Sequence, residues 1–343
     1  MNSQLQLPYT LALKQAEQEW SETWFQFILE NSDKTWNWFL ISENPNLTLN
    51  LIKSNMDKPW NWHGISKNPN ITWEFICENI DKPWRWYDIS LHKSVTWDII
   101  QENPDSPWDW YGISRNPNVT WEIISANLYK PWDWYYLSRH PNVTWSIIQS
   151  NLDKPWNWES VNRNPNITLK IIKENLDKPW SWNNISLNEN ITVDDICECI
   201  NTHFRWDFMS QNPSITWDIV CENPEKPWDW LRLSENPSIT WEIIQANLDR
   251  PWNWSYVSRN PNVTFEIMQE NPNIYWNWYD VSANKMTKAK NIFICRTMQR
   301  WFSQSNLKEE MMAKIWHPRN IEKFKYLDPE RFGGWCEEEG EED

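Results

Sequence analysis

The residues best suited to metal chemistry lie in one stretch past the middle of the chain. Cys197, Cys199 and His203 form a C-x-C-x₃-H pattern, and thiolates and imidazoles at short spacing are ligands that zinc prefers. Structural zinc sites are almost always four-coordinate, and the sequence supplies no fourth ligand nearby. The pattern therefore predicts no metal and no cofactor. Together with Asp195 it marks an irregular segment, for which a local bend, a partner-specific feature and simple sequence drift are the alternatives.

Catalytic chemistry has little support in the sequence. The histidines are scattered, without a nucleophile or a set of carboxylates around any of them: His63, His92, His140, His203 and His317. The chain holds only five glycines, which leaves no phosphate-binding loop. We therefore predict a protein that is not an enzyme and has no catalytic residues.

A series of tyrosines and arginines indicates binding instead. Its members recur at intervals of 24 residues, or lie beside one that does: Tyr87, Tyr111, Tyr135, Tyr136, Arg115, Arg139 and Arg163. The arginines lack the adjacent acid that precedes most basic residues of the recurring lysine slot, as Asp81 precedes Lys82. Tyrosine and arginine dominate the energetics of many protein interfaces, so the series is a candidate protein-binding surface. Packing at the edge of the repeats is the alternative explanation.

These residues belong to a unit of 24 residues that is repeated about eleven times. Ten copies carry a Trp-x-Trp pair, as at Trp60/Trp62 and Trp84/Trp86, and in one copy Phe204 replaces the first Trp. The chain contains 32 tryptophans in all. Fixed-period similarity is typical of a solenoid, in which each unit packs only on its neighbours. The tryptophans are expected to form the core, because a buried tryptophan removes roughly 150–250 Å² from water.

The residue order within one unit predicts two short helices. Thr72 is a good N-cap for a helix of about two turns, which Asn79 is expected to end in a left-handed conformation. A short α or 3₁₀ turn should follow at the Trp-x-Trp pair. Serine and, two residues later, asparagine recur in nearly every unit, as at Ser66 and Asn68. Their expected role is to satisfy backbone groups inside the stack.

We therefore predict an all-α fold, an α-solenoid of about eleven 24-residue repeats with helical caps. Residues 1–22 form an N-terminal cap helix, 23–284 the Trp-rich solenoid, 285–330 a C-terminal helical cap, and 331–343 an acidic disordered tail. At roughly 8–10 Å per packed helix, the solenoid makes an arc on the order of 100 Å long.

Composition narrows the partners and the location. The formal net charge is −15, and an acidic chain is poorly suited to duplex nucleic acid, which requires clustered lysine and arginine. The first ten residues hold no apolar segment of a signal peptide, and no run approaches the length of a membrane span. The expected partner is a protein, with no duplex nucleic acid and no membrane, and the expected location is the cytoplasm.

Two family resemblances follow from the turn and helix sequences. Residues 114–124, SRNPNVTWEII, resemble the leucine-rich repeat variant, which implies alternating α and 3₁₀ helices in a right-handed superhelix. Residues 116–134 are similar to the Trp-rich repeat proteins of large DNA viruses of protists, and residues 310–330 resemble a C-terminal box on proteins of such viruses. This resemblance implies a viral protein acting in the host cytoplasm.

Three functions remain open on these grounds. The first is a non-catalytic scaffold for protein–protein interaction. The second is a structural component of a virion or assembly compartment, formed by self-association through open solenoid ends. The third is recognition of glycans or single-stranded nucleic acid by aromatic stacking, which the acidic charge and the expected burial of the Trp pairs oppose.

Overall fold

The computed structural model describes residues 3–188, 190–191, 195 and 205–304, and its described elements are all helices. A long N-terminal helix, Ser3–Glu30, precedes the repeats, and a C-terminal helix, Thr287–Gln304, follows them. Each repeat contributes a helix A and then a helix B. The described helices A are Leu49–Ser54, Trp73–Glu78, Trp97–Glu102, Trp121–Ala126, Trp145–Ser150, Leu169–Glu174, Trp217–Glu222, Trp241–Ala246 and Phe265–Glu270. The helices B are Trp38–Glu43, Trp62–Ile65, Trp86–Ser90, Trp110–Ile113, Trp134–Leu137, Trp158–Val161, Trp182–Ile185, Trp206–Met209, Trp230–Glu235, Trp254–Val257 and Trp278–Val281.

Helix A begins and ends at the predicted residues, but its end is built differently. Thr72 Oγ1 accepts a hydrogen bond from the backbone N–H of Phe75, as an N-cap should. Asn79 has φ −127° and ψ 37°, so the predicted left-handed conformation is wrong. Its side-chain amide instead donates to the Phe75 carbonyl, one of the groups that lose their partner at a helix end. An asparagine side chain thus ends the helix without backbone strain.

The tryptophan pairs form the core, as predicted. The first Trp of a pair is buried or half-buried, and its indole N–H donates to the carbonyl of the asparagine that ends helix A; Trp84 Nε1 lies 2.7 Å from Asn79 O. The second Trp of the preceding unit meets it edge-on, with the Trp62 and Trp84 rings 5.1 Å apart. Burial of both rings makes the stacking of units favourable, and the N–H bond prevents an unsatisfied polar group.

The repeated serine and asparagine slots satisfy backbone groups between units, also as predicted. Asn68 Nδ2 donates to the carbonyls of Ser42, Asn44 and Leu47 in the preceding unit, at 2.9, 3.2 and 3.1 Å. Ser42 Oγ accepts from the backbone N–H of Asn61 at 3.0 Å. Both slots are fully buried in most units, so they stabilise the stack and are not free to bind a ligand.

Two histidines replace this asparagine, and both imitate the amide. His92 Nε2 lies 2.9 Å from the Asn68 carbonyl, while its Nδ1 accepts the backbone N–H of Ser94 at 3.1 Å. His140 makes the same pair of bonds two slots later, with Asn116 O and the N–H of Asn142. The ring must therefore be neutral, with its proton on Nε2, because protonation of Nδ1 would break its bond to the backbone.

We expect these two histidines to make stability fall in mild acid. Burial lowers the pKa of His92 and of His140, so both are neutral in the folded chain at pH values where the unfolded chain, with pKa values near 6.5, takes up protons. The contribution of each histidine to stability is therefore present in full well above pH 6.5 and falls as the pH drops towards the folded pKa, by up to about 1.4 kcal/mol at pH 5.5. Urea unfolding of the wild type and of His92→Asn/His140→Asn at pH 7.5 and 5.5 measures this loss. An equal loss in both proteins would contradict the assignment.

The repeats close on themselves into a ring. Asn44 of the first helix B donates to the carbonyls of Ser282 and Asn284 in the last unit, at 3.2 and 3.0 Å, in the register that Asn68 uses on its own predecessor. The backbone N–H of Asn37 donates to Ser282 Oγ at 3.0 Å. The Trp36 and Trp278 rings meet edge-on at 5.3 Å. The solenoid is confirmed, but unit 11 stacks on unit 1, so the expectation of an open arc with free ends is wrong. We call this interface the seam.

The two terminal helices complete the seam. Residues 25–30 of the N-terminal helix occupy the helix A position of unit 1, where Phe27 stacks on Phe265 of unit 11 at 3.6 Å. The N-terminal helix therefore runs through the predicted boundary at residue 22. The C-terminal helix packs along it, with Phe293 against Trp20, and Met298 in one cluster with Ala12 and Ala16. The two helices are thus antiparallel partners of each other, rather than separate caps on two ends.

Residue size fixes which helix faces the centre of the ring. A Cβ on Gly64 would come within 2.4 Å of the Phe39 carbonyl oxygen in the preceding helix B, so neighbouring helices B nearly touch. The helix A layer is filled by larger rings, such as Trp73 against Trp108 at 5.4 Å. In a closed ring the more closely spaced layer has the smaller radius. Helices B therefore form the inner wall and helices A the outer one.

The ring encloses a narrow opening. Eleven helices B at about 8 Å spacing give a circle roughly 28 Å across between axes, and a helix with its side chains is about 10–12 Å thick. The opening is therefore roughly 16 Å wide. One α-helix or one extended segment fits through it, and a folded domain does not.

Candidate protein-binding site on the inner wall

The predicted tyrosines and arginines meet on the inner wall of units 3 to 6. We call these seven residues the aromatic–arginine arc: Tyr87, Tyr111, Tyr135, Tyr136, Arg115, Arg139 and Arg163. The tyrosines occupy the first or second residue after the Trp pair, and each arginine lies two residues past the end of a helix B. Two helices B of the arc are held by an aspartate N-cap, since Asp109 accepts from the N–H of Gly112 and Asp133 from that of Tyr136, whereas the helix that carries Tyr87 has no side-chain cap bond. The helices B present these side chains towards the opening.

Arginine and tyrosine side chains in the arc are stacked on one another. The Arg115 guanidinium lies 5.9 Å from the Tyr87 ring centre and 5.1 Å from that of Tyr136, and it donates to the Tyr87 hydroxyl. Arg139 lies 5.1 Å from the Tyr135 ring and 5.0 Å from Tyr136. Cation–π contacts at exposed sites contribute about 0.5–1 kcal/mol each, which orders the guanidinium groups before any partner arrives.

Tyrosine exposure increases from one side of the arc to its middle. Tyr111 is 60% exposed and Tyr135 38%, whereas Tyr87 and Tyr136 are half-buried beneath the arginines. Burial raises the pKa of Tyr136, whose ring meets Tyr111 edge-on at 6.4 Å. Tyr136 is therefore a neutral hydrogen-bonding group at the base of the arc, and Tyr111 offers a free aromatic face.

Arg163 lies at the edge of the arc and forms hydrogen bonds to the next unit, away from the other six residues. Its Nε and Nη2 donate to Asn184 Oδ1 of the next unit, at 3.1 and 2.6 Å. The structure therefore brings together six of the seven predicted residues directly and leaves the seventh tied to unit 7. Asp195 of the irregular segment is half-buried, whereas Cys199 and His203 lie outside the described residues.

Charge pairing separates the arc from the rest of the wall. Elsewhere carboxylates neutralise the cations, as with Glu43 and Lys67 at 3.3 Å, and Asp280 and Arg259. Neither Arg115 nor Arg139 has a carboxylate within salt-bridge distance among the described residues. Their guanidinium N–H groups that do not bond to tyrosine remain available to acceptors on a partner, such as carboxylates and backbone carbonyls.

The described part of the chain contains no cluster of three or more histidine, cysteine, aspartate or glutamate side chains arranged to hold a metal ion. None of the described helices is both long enough and apolar enough to cross a bilayer. The predicted C-terminal box and acidic tail begin beyond residue 304, outside the described residues.

Comparison with known proteins adds no relative to this description. No protein-family model, no curated protein and no solved structure matches the chain.

Proposed function

We propose that the protein is a non-catalytic repeat scaffold that binds a protein partner on its inner wall, at the aromatic–arginine arc. The observation that carries the proposal is the stacking of Arg115 and Arg139 on a cluster of tyrosines, with no carboxylate within salt-bridge distance of either arginine among the described residues. Clustered tyrosine and arginine side chains, ordered in advance, are the usual anchors of protein interfaces. The narrow opening favours a partner that presents one helix or one extended segment. The resemblance to viral Trp-rich repeat proteins makes a viral protein in the host cytoplasm part of this proposal.

The seam bears on the alternative of a structural virion component. That alternative relies on open solenoid ends, and here the two ends are bonded to each other through Asn44 and Ser282. The burial or half-burial of the Trp pairs likewise gives little support to stacking on glycans or single-stranded nucleic acid, since few indole faces are free.

A site-specific cross-link tests the proposed binding surface. A photo-reactive residue replaces either Tyr111 on the inner wall or Gln101 on the outer helix A that precedes it, and both positions are exposed. We expect a protein partner to be captured from host cells at position 111 only. The Arg115→Ser/Arg139→Ser variant should reduce that capture at least tenfold. Equal capture at both positions, or capture unaffected by the arginine changes, would overturn the proposal.

A truncated variant distinguishes binding by the repeats from binding by the C-terminal box. A chain ending at Gln304 keeps both terminal helices, and hence the seam, while removing the box and the acidic tail. If the arc binds the partner, this shorter chain is captured as efficiently as the full one. Loss of the partner with the shortening would assign recognition to the box.

A further inference from the structure

A second exposed surface runs around one face of the ring, on the loops that join helix A to helix B. The residue after the helix-ending asparagine is exposed and apolar in each loop the structure describes in full beyond unit 1. These residues are Met56, Ile80, Pro104, Leu128, Leu152, Leu176, Pro224, Leu248 and Pro272. Leu176 is 74% exposed, Ile80 58% and Leu152 53%. We call this circle of side chains the apolar rim. Large apolar surfaces of this kind usually mark an interaction site.

Each loop adds a second exposed side chain three residues further on. It is proline in most units, as at Pro107 and Pro155, and Tyr275 in the last, where it is 85% exposed. A groove of about 530 Å³ opens between two neighbouring loops and is lined by Ile80, Trp86, Pro104 and Pro107, among others. The projecting side chains recur at the spacing of the repeat, and this groove separates those of units 3 and 4.

The rim lies on the face away from the terminal helices. All of its loops follow the C-terminal end of a helix A, so units related by the ring place them on one circle. The N-terminal helix enters unit 1 through the opposite end of a helix A, and the C-terminal helix packs against that extension through Phe293 and Met298. A flat partner can therefore approach the rim without meeting these helices.

We propose that the apolar rim is the surface on which a second copy of this chain docks, face to face about a twofold axis. A second copy presents apolar side chains at the same radius and the same period, so the projecting side chains of one ring can pack against those of the other. Such self-complementary pairing is the commonest symmetry of soluble oligomers. The nine loops named above contribute two such side chains each, close to the 20–30 residues that a standard interface takes from one partner.

Charge around the rim suits pairing between copies. Beside five of the nine projecting side chains stands an acid–lysine pair, such as Asp81 with Lys82 at 2.9 Å and Asp177 with Lys178 at 2.6 Å. These pairs neutralise each other locally, so two rims can approach although each chain carries a net charge of −15. The same acidic balance disfavours an anionic membrane as the occupant.

Light scattering after size-exclusion chromatography tests the proposal. The wild type should elute as a dimer of two 41.8-kDa chains at micromolar concentration. The variant Leu152→Ser/Leu176→Ser/Leu248→Ser should raise the dimer dissociation constant at least 100-fold. Its folding is checked by circular dichroism and thermal unfolding, because exposed substitutions change stability little. The matched control, Tyr111→Ser/Tyr279→Ser, removes exposed aromatic side chains from the inner wall and should leave the dimer intact.

Three results would overturn the proposal. They are a wild type that stays monomeric at 100 µM, a rim variant that dimerises as well as the wild type, and a control variant that loses the dimer instead. A monomer that co-floats with vesicles of phosphatidylcholine and phosphatidylserine, and does so less after the leucine changes, would assign the rim to a lipid surface.

Discussion

Replacing Asn116 by alanine is expected to lower the free energy of unfolding by about 3–5 kcal/mol. Asn116 is fully buried, and its Nδ2 donates to the carbonyls of Ser90, His92 and Val95 at 2.9, 3.2 and 3.0 Å. Its Oδ1 also accepts the backbone N–H of Asn118. Alanine removes the Asn116 partner of the Ser90 carbonyl and of the Asn118 N–H, and one of two donors from the His92 and Val95 carbonyls, which also accept from Val95 N–H and Asn118 Nδ2. Each buried group left unsatisfied costs about 1–3 kcal/mol. Urea unfolding followed by tryptophan fluorescence measures the change.

The matched control is Asn116→His. Histidine occupies the same slot in the units on either side, where His92 and His140 make the corresponding bonds. At pH 7.5 the histidine variant should lose less than about 1.5 kcal/mol, since it restores a donor and an acceptor at the same places. Equal losses in the two variants, or a loss below about 1 kcal/mol in the alanine variant, would contradict the role of this slot.

Truncating a core tryptophan is the second change with a large expected effect. Trp132 is buried between the Trp110 ring at 5.1 Å and the Trp97 ring at 5.8 Å, and its indole N–H donates to Asn127 O at 2.8 Å. Trp132→Ala should lower the free energy of unfolding by about 3–5 kcal/mol, since a cavity forms and the Asn127 carbonyl loses one of its two donors. Chemical unfolding again measures the loss.

Tyr129 provides the control for this substitution. It lies three residues before Trp132 in the same loop and is 78% exposed. Tyr129→Ala should change the free energy of unfolding by less than about 0.5 kcal/mol, because exposed side chains contribute little. A comparable loss at both positions would mean that the tryptophan pairs are not the core of the stack.

Features set within one unit could be predicted from the sequence. The period, the threonine cap and the Trp pair follow from residue types and spacing, because each depends on contacts within a unit or with the next one. Asn79 illustrates the limit of this reasoning. Its place at the end of helix A was predictable, but its backbone conformation was not. Its side-chain amide donates to the Phe75 carbonyl, and its own carbonyl accepts the indole N–H of Trp84. These two bonds end the helix without a left-handed residue.

Ring closure could not be predicted, since it depends on the angle between units. A ring of eleven units needs 360°/11, or about 33°, at each step, and this angle arises from close packing at Gly64 and bulky rings at Trp73. The seam also joins residues such as Asn44 and Ser282, which are 238 positions apart and have no mutual pattern in the sequence.

The aromatic–arginine arc could be predicted from the sequence, whereas the apolar rim could not. The aromatic–arginine arc was found because tyrosine and arginine are unusual at their slots. The apolar rim was missed, although Ile80 and Leu152 share one slot directly after the asparagine that ends helix A. Aliphatic residues at a regular period suggest core packing, and only the structure shows that this slot projects into solvent.

The distance across the seam tests the central claim, ring closure, most directly. Lys53 and Gln269 lie on the outer wall, nine units apart along the chain but only two units apart across the seam. Gln101 and Gln149 hold the same helix position two units apart within the chain. Spin labels attached to genetically encoded ketone residues leave the six cysteines unmodified. Pulsed electron–electron double resonance then measures the distance within each pair. A closed ring predicts the same distance distribution for both pairs. A much longer distance for the 53/269 pair would mean that the solenoid is open and the seam does not form.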